Sequence, residues 1–395
     1  MSKSWDVIVL GLGGMGSAAL RHLARRGRRV LGLDRYHPPH GFGSSHGRTR
    51  VIRQCYFEGS AYVPLLLRAY ELWRELEQES GARLLELCGG LMMGAPDSEV
   101  VSGSLSSARA HGLPHELLDA AAIRRRFPQL SMPESTVALW EPHAGLVFSE
   151  HAIAAHLDSA RRAGASTLFE TVVEEWTASP GGVRVRTARG EFEAEQLIVT
   201  PGPWAPDALA GLGLPLQVER QVLYWFQPDR GTDDFVPGRF PVYIWQRDEK
   251  VQPYGFPSVD GGEGGVKVSF FRAPETNYCT PDTVDRLVSE AEASRMREVV
   301  REYCPALAGR LVHAVVCMYT LTPDLHFIVG QHPAHANVTL AAGFSGHGYK
   351  FCSVMGEVLA DLALQGRTSF DLALFSPARF PPTPNTACLK EERSP

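Results

Sequence analysis

Residues 5–34 read WDVIVLGLGGMGSAALRHLARRGRRVLGLD, and this stretch decides the fold. Trp5 to Leu10 is short, apolar and rich in β-branched residues, as is typical of a buried parallel strand. A glycine-rich loop follows, then apolar residues at helical spacing from Ser17 to Arg26, and then a second apolar run from Arg29 to Leu33 that ends at Asp34. A strand, a loop, a helix and a second strand within about thirty residues form one βαβ unit. The stretch therefore predicts a Rossmann-type dinucleotide-binding domain.

The glycine loop has the spacing of a phosphate-binding fingerprint. Gly11 permits a tight turn, Gly13 allows the backbone to approach a pyrophosphate, and Gly16 lets the helix pack closely on the strand. The N-terminus of the helix would then face the phosphates. Asp34 is placed to accept a hydrogen bond from a ribose 2′-hydroxyl. The motif alone does not distinguish FAD from NAD, but the acid disfavours NADP because it would repel a 2′-phosphate.

The composition is that of an ordinary folded protein of 395 residues, 44% hydrophobic and 21% charged. A net charge of −5 gives no reason to expect a nucleic-acid partner, and no apolar run is long enough to span a membrane. The seven cysteines are odd in number and form no CxxC pair, which favours free thiols in a reducing compartment. The N-terminal segment lacks the pattern of a secretory signal. We expect a cytoplasmic protein of two or three domains.

Dinucleotide-type elements lie near both ends of the chain, which predicts a discontinuous domain with a β-rich insertion. Helices are predicted at Tyr62–Ser80 and Ala120–Phe127, a β-meander between residues 171 and 200, and mixed β-structure with long loops between 215 and 315. The predicted fold class is α/β (or α+β). The predicted dinucleotide-binding domain comprises residues 1–85, 146–215 and 316–375, and the substrate domain comprises 86–145 and 216–315. The proline-rich residues 376–395 are predicted to form an extended tail.

Two other polar clusters are not favoured as functional sites. His37 and His40 flank two prolines, which break the helical spacing of a metal site, and no metal site is expected. The stretch from Gly343 to His347 resembles a nucleophile elbow but lacks its final glycine, which disfavours a serine hydrolase.

Lysine is rare in this chain, because only five of the 39 basic residues are lysines. Lysine offers a compact charge where a guanidinium group would not fit. Lys267, in a predicted strand, and Lys350, after a second glycine loop, stand in contexts where this property would matter, although chance retention at exposed sites is an alternative. Cys317, taken by itself, is interpreted as a buried structural thiol, the common fate of a free cysteine.

Several stretches in order resemble one family over roughly residues 5–375. These are GLGGMGS from 11, DRYHPPHGFGSSHG from 34, TRVIR from 49, YGFPS from 254, CMYT from 317 with TPD and HFIVG after it, and AAGFSGHGYKF from 341. Together they resemble the monomeric sarcosine oxidase family, flavin amine oxidases of the D-amino-acid-oxidase-like fold. N-methyltryptophan oxidase and pipecolate oxidase are related to it.

The resemblance implies roles for particular residues. Cys317 would hold FAD through an 8α-thioether, and Lys267 would activate oxygen beside the flavin. Arg53 and Lys350 would bind the substrate carboxylate. The implied catalytic residues are Lys267, His46, Arg50 and Tyr254, and the implied substrate-binding residues are Arg53, Lys350, Tyr254, Phe271 and Gly346. The cofactor-binding residues are Gly11, Gly13, Gly14, Met15, Gly16, Asp34, Arg35, Ser44, Ser45, Thr49, Cys317, Tyr319, Gly343, Gly346, Gly348 and Lys350.

One departure from the family bears on the substrate. Where sarcosine-oxidising relatives place a histidine, four residues after the lysine, this chain has Phe271. The ring could favour a bulkier apolar substrate, or it could simply fill space. The resemblance implies oxidation of an N-methyl or cyclic amino acid to an imine that hydrolyses, with O2 reduced to H2O2 by a monomeric enzyme. An amino acid dehydrogenase or specialised amine oxidase that passes electrons to a carrier is the alternative, and a non-catalytic flavoprotein is a third.

Overall fold

The glycine loop connects the first strand, in the middle of an eight-stranded sheet, to the first helix. The computed structural model describes residues 5–380, which form twenty β-strands and eight α-helices. The strands are β1 (Trp5–Leu10), β2 (Val30–Leu33), β3 (Thr49–Ile52), β4 (Leu85–Glu86), β5 (Gly90–Gly94), β6 (Glu116–Asp119), β7 (Val137–Glu141), β8 (Gly145–Phe148), β9 (Ser166–Leu168), β10 (Val173–Ser179), β11 (Gly182–Thr187), β12 (Gly190–Val199), β13 (Gln217–Gln227), β14 (Val242–Trp245), β15 (Gln252–Gly255), β16 (Val266–Arg272), β17 (Tyr278–Cys279), β18 (Arg310–Leu321), β19 (Ile328–His332) and β20 (His335–Ala342). The helices are α1 (Gly14–Arg25), α2 (Val63–Ser80), α3 (Glu99–Ala110), α4 (Ala120–Arg126), α5 (Ser149–Arg162), α6 (Ala205–Ala208), α7 (Glu290–Tyr303) and α8 (Cys352–Gln365).

The first sheet has a parallel centre and an antiparallel meander. β1 pairs in parallel with β2 on one side and β12 on the other, and β20 pairs in parallel with β12. β10, β11 and β12 form the meander predicted from the sequence. Residues Val7 to Leu10 are buried, as expected for a strand covered on both faces. Helices α1, α2, α5 and α8 pack together on this sheet and form the largest hydrophobic core.

The second sheet has nine strands. Its order is β17-β13-β16-β15-β14-β5-β7-β6, and β18 pairs with β13. A separate apolar core lies under it, where Tyr243 and Trp245 meet Met296 and Tyr303 of α7. A short third sheet, β3-β8-β4, carries β3. β18 crosses residue 316, the predicted start of the last cofactor-domain segment, and pairs with the second sheet on both sides of it.

Two local predictions were wrong. Residues 290–303, expected to lie in mixed β-structure and loops, form α7. Ser289 and Glu292 cap each other there, and Ala293, Met296 and Val300 recur at helical spacing on its buried face. Residues 377–379, expected to be extended, form a 3₁₀ turn that is anchored where Arg379 pairs with Asp324 at 2.8 Å. The rest of the predicted tail, residues 381–395, lies outside the described residues.

The helices of residues 5–380 include none that is both long enough and apolar enough to cross a lipid bilayer. The predicted helices at 62–80 and 120–127 are confirmed as α2 and α4. The first predicted helix begins earlier than expected, at Gly14 inside the glycine loop.

Candidate active site

A large cavity runs from the glycine loop to the start of α8. Its volume is about 730 Å³. Most of the predicted cofactor-binding residues line it, namely Gly11, Gly13, Gly14, Met15, Asp34, Arg35, Ser44, Ser45, Tyr319, Gly343, Gly346 and Gly348. The predicted residues Gly16, Thr49, Cys317 and Lys350 do not line this cavity.

The glycine loop is held in place by close backbone contacts. A β-carbon on Gly16 would lie 1.8 Å from the carbonyl oxygen of Gly11, so only glycine fits where α1 crosses the strand end. The hydroxyl of Ser45 accepts a hydrogen bond from the backbone N–H of Gly14 at 3.3 Å. The N-terminus of α1 therefore faces the large cavity with its amide dipoles, an arrangement that favours a phosphate.

Asp34 lines the large cavity while tying two backbone segments together. One of its oxygens accepts the N–H of Leu12 at 2.7 Å, and the other accepts the N–H of Tyr36 at 2.8 Å. Each carboxylate oxygen has a second lone pair. The carboxylate can thus hold the loop and still accept a hydrogen bond from a ligand hydroxyl.

A small cavity of about 50 Å³ adjoins the large one. All five predicted substrate-binding residues, Arg53, Lys350, Tyr254, Phe271 and Gly346, line it. The other lining residues are Arg50, Val51, Glu58, Ile244, Tyr319, His347 and Tyr349. Because Arg50, Tyr319, Gly346 and Tyr349 line both cavities, these four residues mark where the two spaces meet.

Arg53 is a buried cation held between two aromatic rings. Its guanidinium carbon lies 4.2 Å from the ring centres of both Tyr56 and Phe57. Its Nη2 donates to both carboxylate oxygens of Glu58, at 2.6 and 2.5 Å. Its Nε has no hydrogen-bond partner among residues 5–380, although the atom is buried. An N–H of Arg53 is therefore left for an acceptor other than Glu58.

Lys350 is the second cation of the small cavity. Its ammonium donates to the carbonyl oxygen of His347 at 2.6 Å, and its own carbonyl accepts a hydrogen bond from Trp73 Nε1 at 2.9 Å. Burial, with the charge of Arg53, lowers the pKa of Lys350 to about 7 even though Glu58 opposes the shift. An anion entering the small cavity would favour the charged lysine.

Lys267 is buried beside both cavities but lines neither of them. Its ammonium donates to the carbonyl oxygens of Gly47 at 3.0 Å and Thr49 at 2.6 Å, and also to the Thr49 hydroxyl. It lies 3.9 Å from the centre of the Phe256 ring. Burial lowers the pKa of Lys267 well below its usual value, and the charge of Arg50 adds to the effect.

Cys317 lies on β18, immediately before three residues that line the large cavity. Its sulfur is 3.5 Å from Nη2 of Arg50 and 3.7 Å from the carbonyl oxygen of Ser44. Burial raises the pKa of Cys317, but the neighbouring His46 and Arg50 outweigh burial and bring it to about 7. A substantial fraction of this thiol is therefore thiolate, the nucleophilic form, near neutral pH.

A family model described as FAD dependent oxidoreductase, of the DAO type, matches residues 6–362, nearly the whole chain. The chain belongs to this family. FAD is its cofactor, and its class of reaction is the FAD-dependent oxidation of amines at a CH–NH group. The predicted family and the predicted fold class are confirmed.

Three known proteins define its place within the DAO family. It is 52% identical over 385 residues to a monomeric sarcosine oxidase of Streptomyces avermitilis, with 97% of this chain and 100% of that one covered. It is 35% identical over 377 residues to an N-methyl-L-tryptophan oxidase of Escherichia coli, with 95% and 99% covered. Among solved structures it is similar to the open form of NikD, an unusual amino acid oxidase essential for nikkomycin biosynthesis, with a TM-score of 0.82, 25% identity, and 95% and 98% covered.

The large cavity of this DAO-family chain fits a flavin dinucleotide. Besides the glycine loop, two buried polar atoms on its wall, Ser44 Oγ and Trp204 Nε1, have no hydrogen-bond partner within residues 5–380. Buried polar groups are rarely left unpaired, so these atoms point to a bound polar ligand. The residues that would hold FAD are the loop from Gly11 to Met15, Asp34, and the Ser44–Ser45 pair.

Sequence reasoning missed several residues of the small cavity. Glu58 and Ile244 had no motif around them, and His347 was quoted within a motif but given no role. The only available signal for Glu58 was its position five residues after Arg53. Among the predicted catalytic residues, Arg50 and Tyr254 line the small cavity, whereas His46 is buried against Cys317 and lines neither cavity.

Ser345, at the centre of the elbow-like stretch, has its hydroxyl hydrogen-bonded to Thr322 and Gly343.

Proposed function

We propose that this chain is an oxidase of small secondary amino acids, N-methyl or cyclic, that uses O2 and acts as a monomer. The observation that carries the proposal is the pair of buried cations, Arg53 and Lys350, in a small cavity that meets the flavin-sized cavity at Arg50 and Gly346. Two cations that line one cavity bind a carboxylate and so orient the rest of an amino acid. The substrate's amine and its adjacent carbon would then face the cofactor.

The charges in the small cavity match one substrate carboxylate. Glu58 neutralises Arg53, which leaves Lys350 and Arg50 as the cations without a carboxylate partner among the residues that line the cavity. Arg50 donates instead to the carbonyl oxygens of Ser44 and Thr49. An incoming carboxylate would pair with Lys350 and accept from Arg53, whose Nε is unpaired within the described chain. A hydrogen bond to a charged group contributes about 1.5–3 kcal/mol, so this anchor supplies much of the binding energy of a small amino acid.

The size and polarity of the remaining wall favour a small apolar substrate. Phe271 packs edge-on against Phe57, with ring centres 6.1 Å apart, and together with Ile244 it makes one side of the small cavity apolar. The small cavity, about 50 Å³ against about 730 Å³ for the large one, favours a sarcosine-sized amino acid over an indole. Of the two roles expected for Phe271, this geometry favours the filling of space.

The residues around the cofactor site suit an oxidase. When bound, FAD supplies the acceptor for the two electrons and the hydrogen removed from the carbon beside nitrogen. Arg50 would stabilise the negative charge that develops on the cofactor. The Lys267 ammonium would stabilise negative charge on oxygen as O2 is reduced. In the overall reaction, the amine and O2 give an imine and H2O2, and water then cleaves the imine to a primary amine and a carbonyl compound.

We also propose that Cys317 holds FAD covalently. A sulfur–carbon bond would form at the 8α-methyl group, and the two hydrogens lost, one from the thiol and one from the methyl, would reduce O2 to H2O2. The low pKa of Cys317, about 7, supports this role because burial alone would raise it and His46 and Arg50 reverse the effect. In a Cys317→Ser variant, acid precipitation should release the yellow colour into the supernatant, whereas in the wild type the colour should stay with the protein.

The first test is H2O2 release by the purified yellow protein. Sarcosine, N-methyl-L-alanine, N-methyl-L-tryptophan, L-proline and L-pipecolate would be compared, with O2 and with a dye as the electron acceptor. We expect H2O2 with sarcosine or N-methyl-L-alanine and the weakest response with N-methyl-L-tryptophan. Turnover with the dye but not with O2 would identify a dehydrogenase instead, and no bleaching of the flavin by any amine would contradict the proposal as a whole.

A further inference from the structure

The turn that leads into β3 has an unusual backbone. Gly47 and Arg48 both adopt left-handed conformations, with φ of 95° and 71°. Left-handed backbone is strained for arginine, so the surroundings must hold it in place. The carboxylate of Glu150, in the first turn of α5, accepts the N–H of Gly47 at 2.8 Å and that of Arg48 at 3.0 Å. Two successive N–H groups thus converge on one anion.

The other side of the same turn faces Lys267. The carbonyl oxygen of Gly47 accepts from the Lys267 ammonium at 3.0 Å. This carbonyl belongs to the same peptide group as the N–H of Arg48, which donates to Glu150. The Gly47–Arg48 peptide is therefore hydrogen-bonded to an anion at one end and to a cation at the other, and each bond polarises the next.

We propose that Glu150 is a positioning residue that keeps Lys267 as a fixed ammonium, acting through the Gly47–Arg48 peptide. This proposal rests on the proposed function, in which that ammonium assists the reduction of O2. Glu150 does not line either cavity. Its effect on the reaction would therefore be indirect, through the turn to Lys267 and through its charge on Arg50.

The charges around Lys267 support this assignment. Arg50 opposes the ammonium, whereas Glu150, Asp260 and a Cys317 thiolate favour it. Of the two carboxylates, Asp260 is already paired with Arg48 at 2.5 Å. Burial raises the pKa of Glu150, but the Ser149 hydroxyl, the N–H of Arg48 and the charge of Arg50 outweigh burial and keep the carboxylate ionised.

Glu141 offers a matched control at the other end of β3. It is buried at the end of β7, and its carboxylate accepts the N–H groups of Gln54 at 2.6 Å and Cys55 at 2.9 Å. Those two residues directly follow Arg53. Glu141 and Glu150 thus hold the backbone at opposite ends of β3, one on the side of the substrate cation and one on the side of Lys267. A purely structural role would make the two carboxylates equivalent.

The experiment compares three holoenzyme variants, Glu150→Gln, Glu141→Gln and Lys267→Met, with the wild type. Anaerobic reduction by sarcosine and reoxidation by O2 would be followed separately by stopped flow. Because the chain has only five lysines, ¹³Cε-lysine labelling would also report the charge of Lys267 by NMR, with Lys267→Met assigning its signal. We expect Glu150→Gln to slow reoxidation about tenfold or more, to leave reduction within about twofold, and to shift the Lys267 titration down by about one pH unit or more. Glu141→Gln should instead raise the KM for sarcosine and leave reoxidation unchanged.

The outcomes separate the two proposals. If Lys267→Met reoxidises as fast as the wild type, the oxygen-reducing role of Lys267 fails and the proposed function fails with it. If Lys267→Met is slow but Glu150→Gln matches the wild type in reoxidation and in the NMR titration, the role of Glu150 is wrong. The wild type itself is a further check that requires no variant, because a Lys267 signal showing the neutral amine at pH 7 would overturn the role of Glu150 even if Glu150→Gln did not fold.

Discussion

The two cavities of the site recognise their ligands by different means. The large cavity presents glycine-rich backbone at three places on its wall: the first glycine loop, the N-terminus of α1 and a second glycine loop before α8. The small cavity presents side-chain charge, because Arg50, Arg53, Glu58 and Lys350 all line about 50 Å³. Binding at the cofactor end therefore depends on how closely the backbone can approach the ligand. The substrate end depends instead on how buried charges balance, so the two ends should respond to different kinds of substitution.

The largest effect should come from adding one methyl group to the glycine loop beside the large cavity. In Gly16→Ala the methyl would meet the carbonyl oxygen of Gly11 at 1.8 Å, so we expect the loss of bound flavin and a lower melting temperature. Gly13→Ala is the matched control, because its nearest neighbour is Ser45 Oγ at 3.6 Å. It should fold normally and lose only flavin affinity. Visible absorbance and thermal unfolding measure both, and equal behaviour of the two variants would contradict a backbone-approach site.

The next effect concerns the balance of buried charge in the small cavity. Arg53→Met would leave Glu58 buried without its cation, which costs about 3–5 kcal/mol of folding free energy. It would also lower kcat/KM for sarcosine by about 100-fold or more, since charged hydrogen bonds to the carboxylate are lost. Adding Glu58→Gln to this variant should restore stability but not activity. Urea unfolding and steady-state kinetics check the two parts, and recovery of activity in the double variant would refute carboxylate binding by Arg53.

A smaller effect is the pH dependence of substrate affinity. The pKa of Lys350 in the free protein is about 7, and a bound carboxylate would favour the ammonium and raise it. Below pH 7 Lys350 is already charged, so the affinity for the substrate has its full value. Above pH 7 the lysine must take up a proton when the substrate binds. The KM for sarcosine should rise by up to about tenfold per pH unit above 7, until the pKa of the complex is reached. A Lys350→Met variant should bind weakly with no such rise, and a flat KM in the wild type between pH 7 and 9 would contradict the assignment.

The smallest effect should come from the apolar wall. Phe271→His would place a polar ring against Phe57, and we expect the preference between sarcosine and N-methyl-L-alanine to change only about 2–10-fold, the range of one hydrogen bond. Phe271→Leu, which stays apolar, should keep the wild-type preference. Ratios of kcat/KM would show this. A change of 100-fold or more would mean that Phe271 selects the substrate and does not merely fill space.

Much of the large cavity could be predicted from the sequence because its parts are adjacent along the chain. The first strand was predicted with its observed bounds, and the glycine-loop residues predicted to bind the cofactor line the large cavity, except for Gly16. The error at α7 was an overlooked helical spacing, not a missing signal. Glu58, in contrast, lies in no sequence pattern that predicts its pairing with Arg53. The Arg53–Glu58 pair lies beside Lys350 only because the chain around β3 and the turn before α8 meet in space.

The sequence by itself determined the βαβ unit, the family, and the types of residue available for the site. Local hydrogen bonds and the period of apolar residues encode these features within a few tens of residues. Only the tertiary structure decided which charges face each other: Glu58 on Arg53, and Glu150 opposite Lys267 across one peptide group. The physical reason is that the energy of a buried charge depends on every group packed around it, and the groups around Glu150 and Lys267 come from segments more than a hundred residues apart.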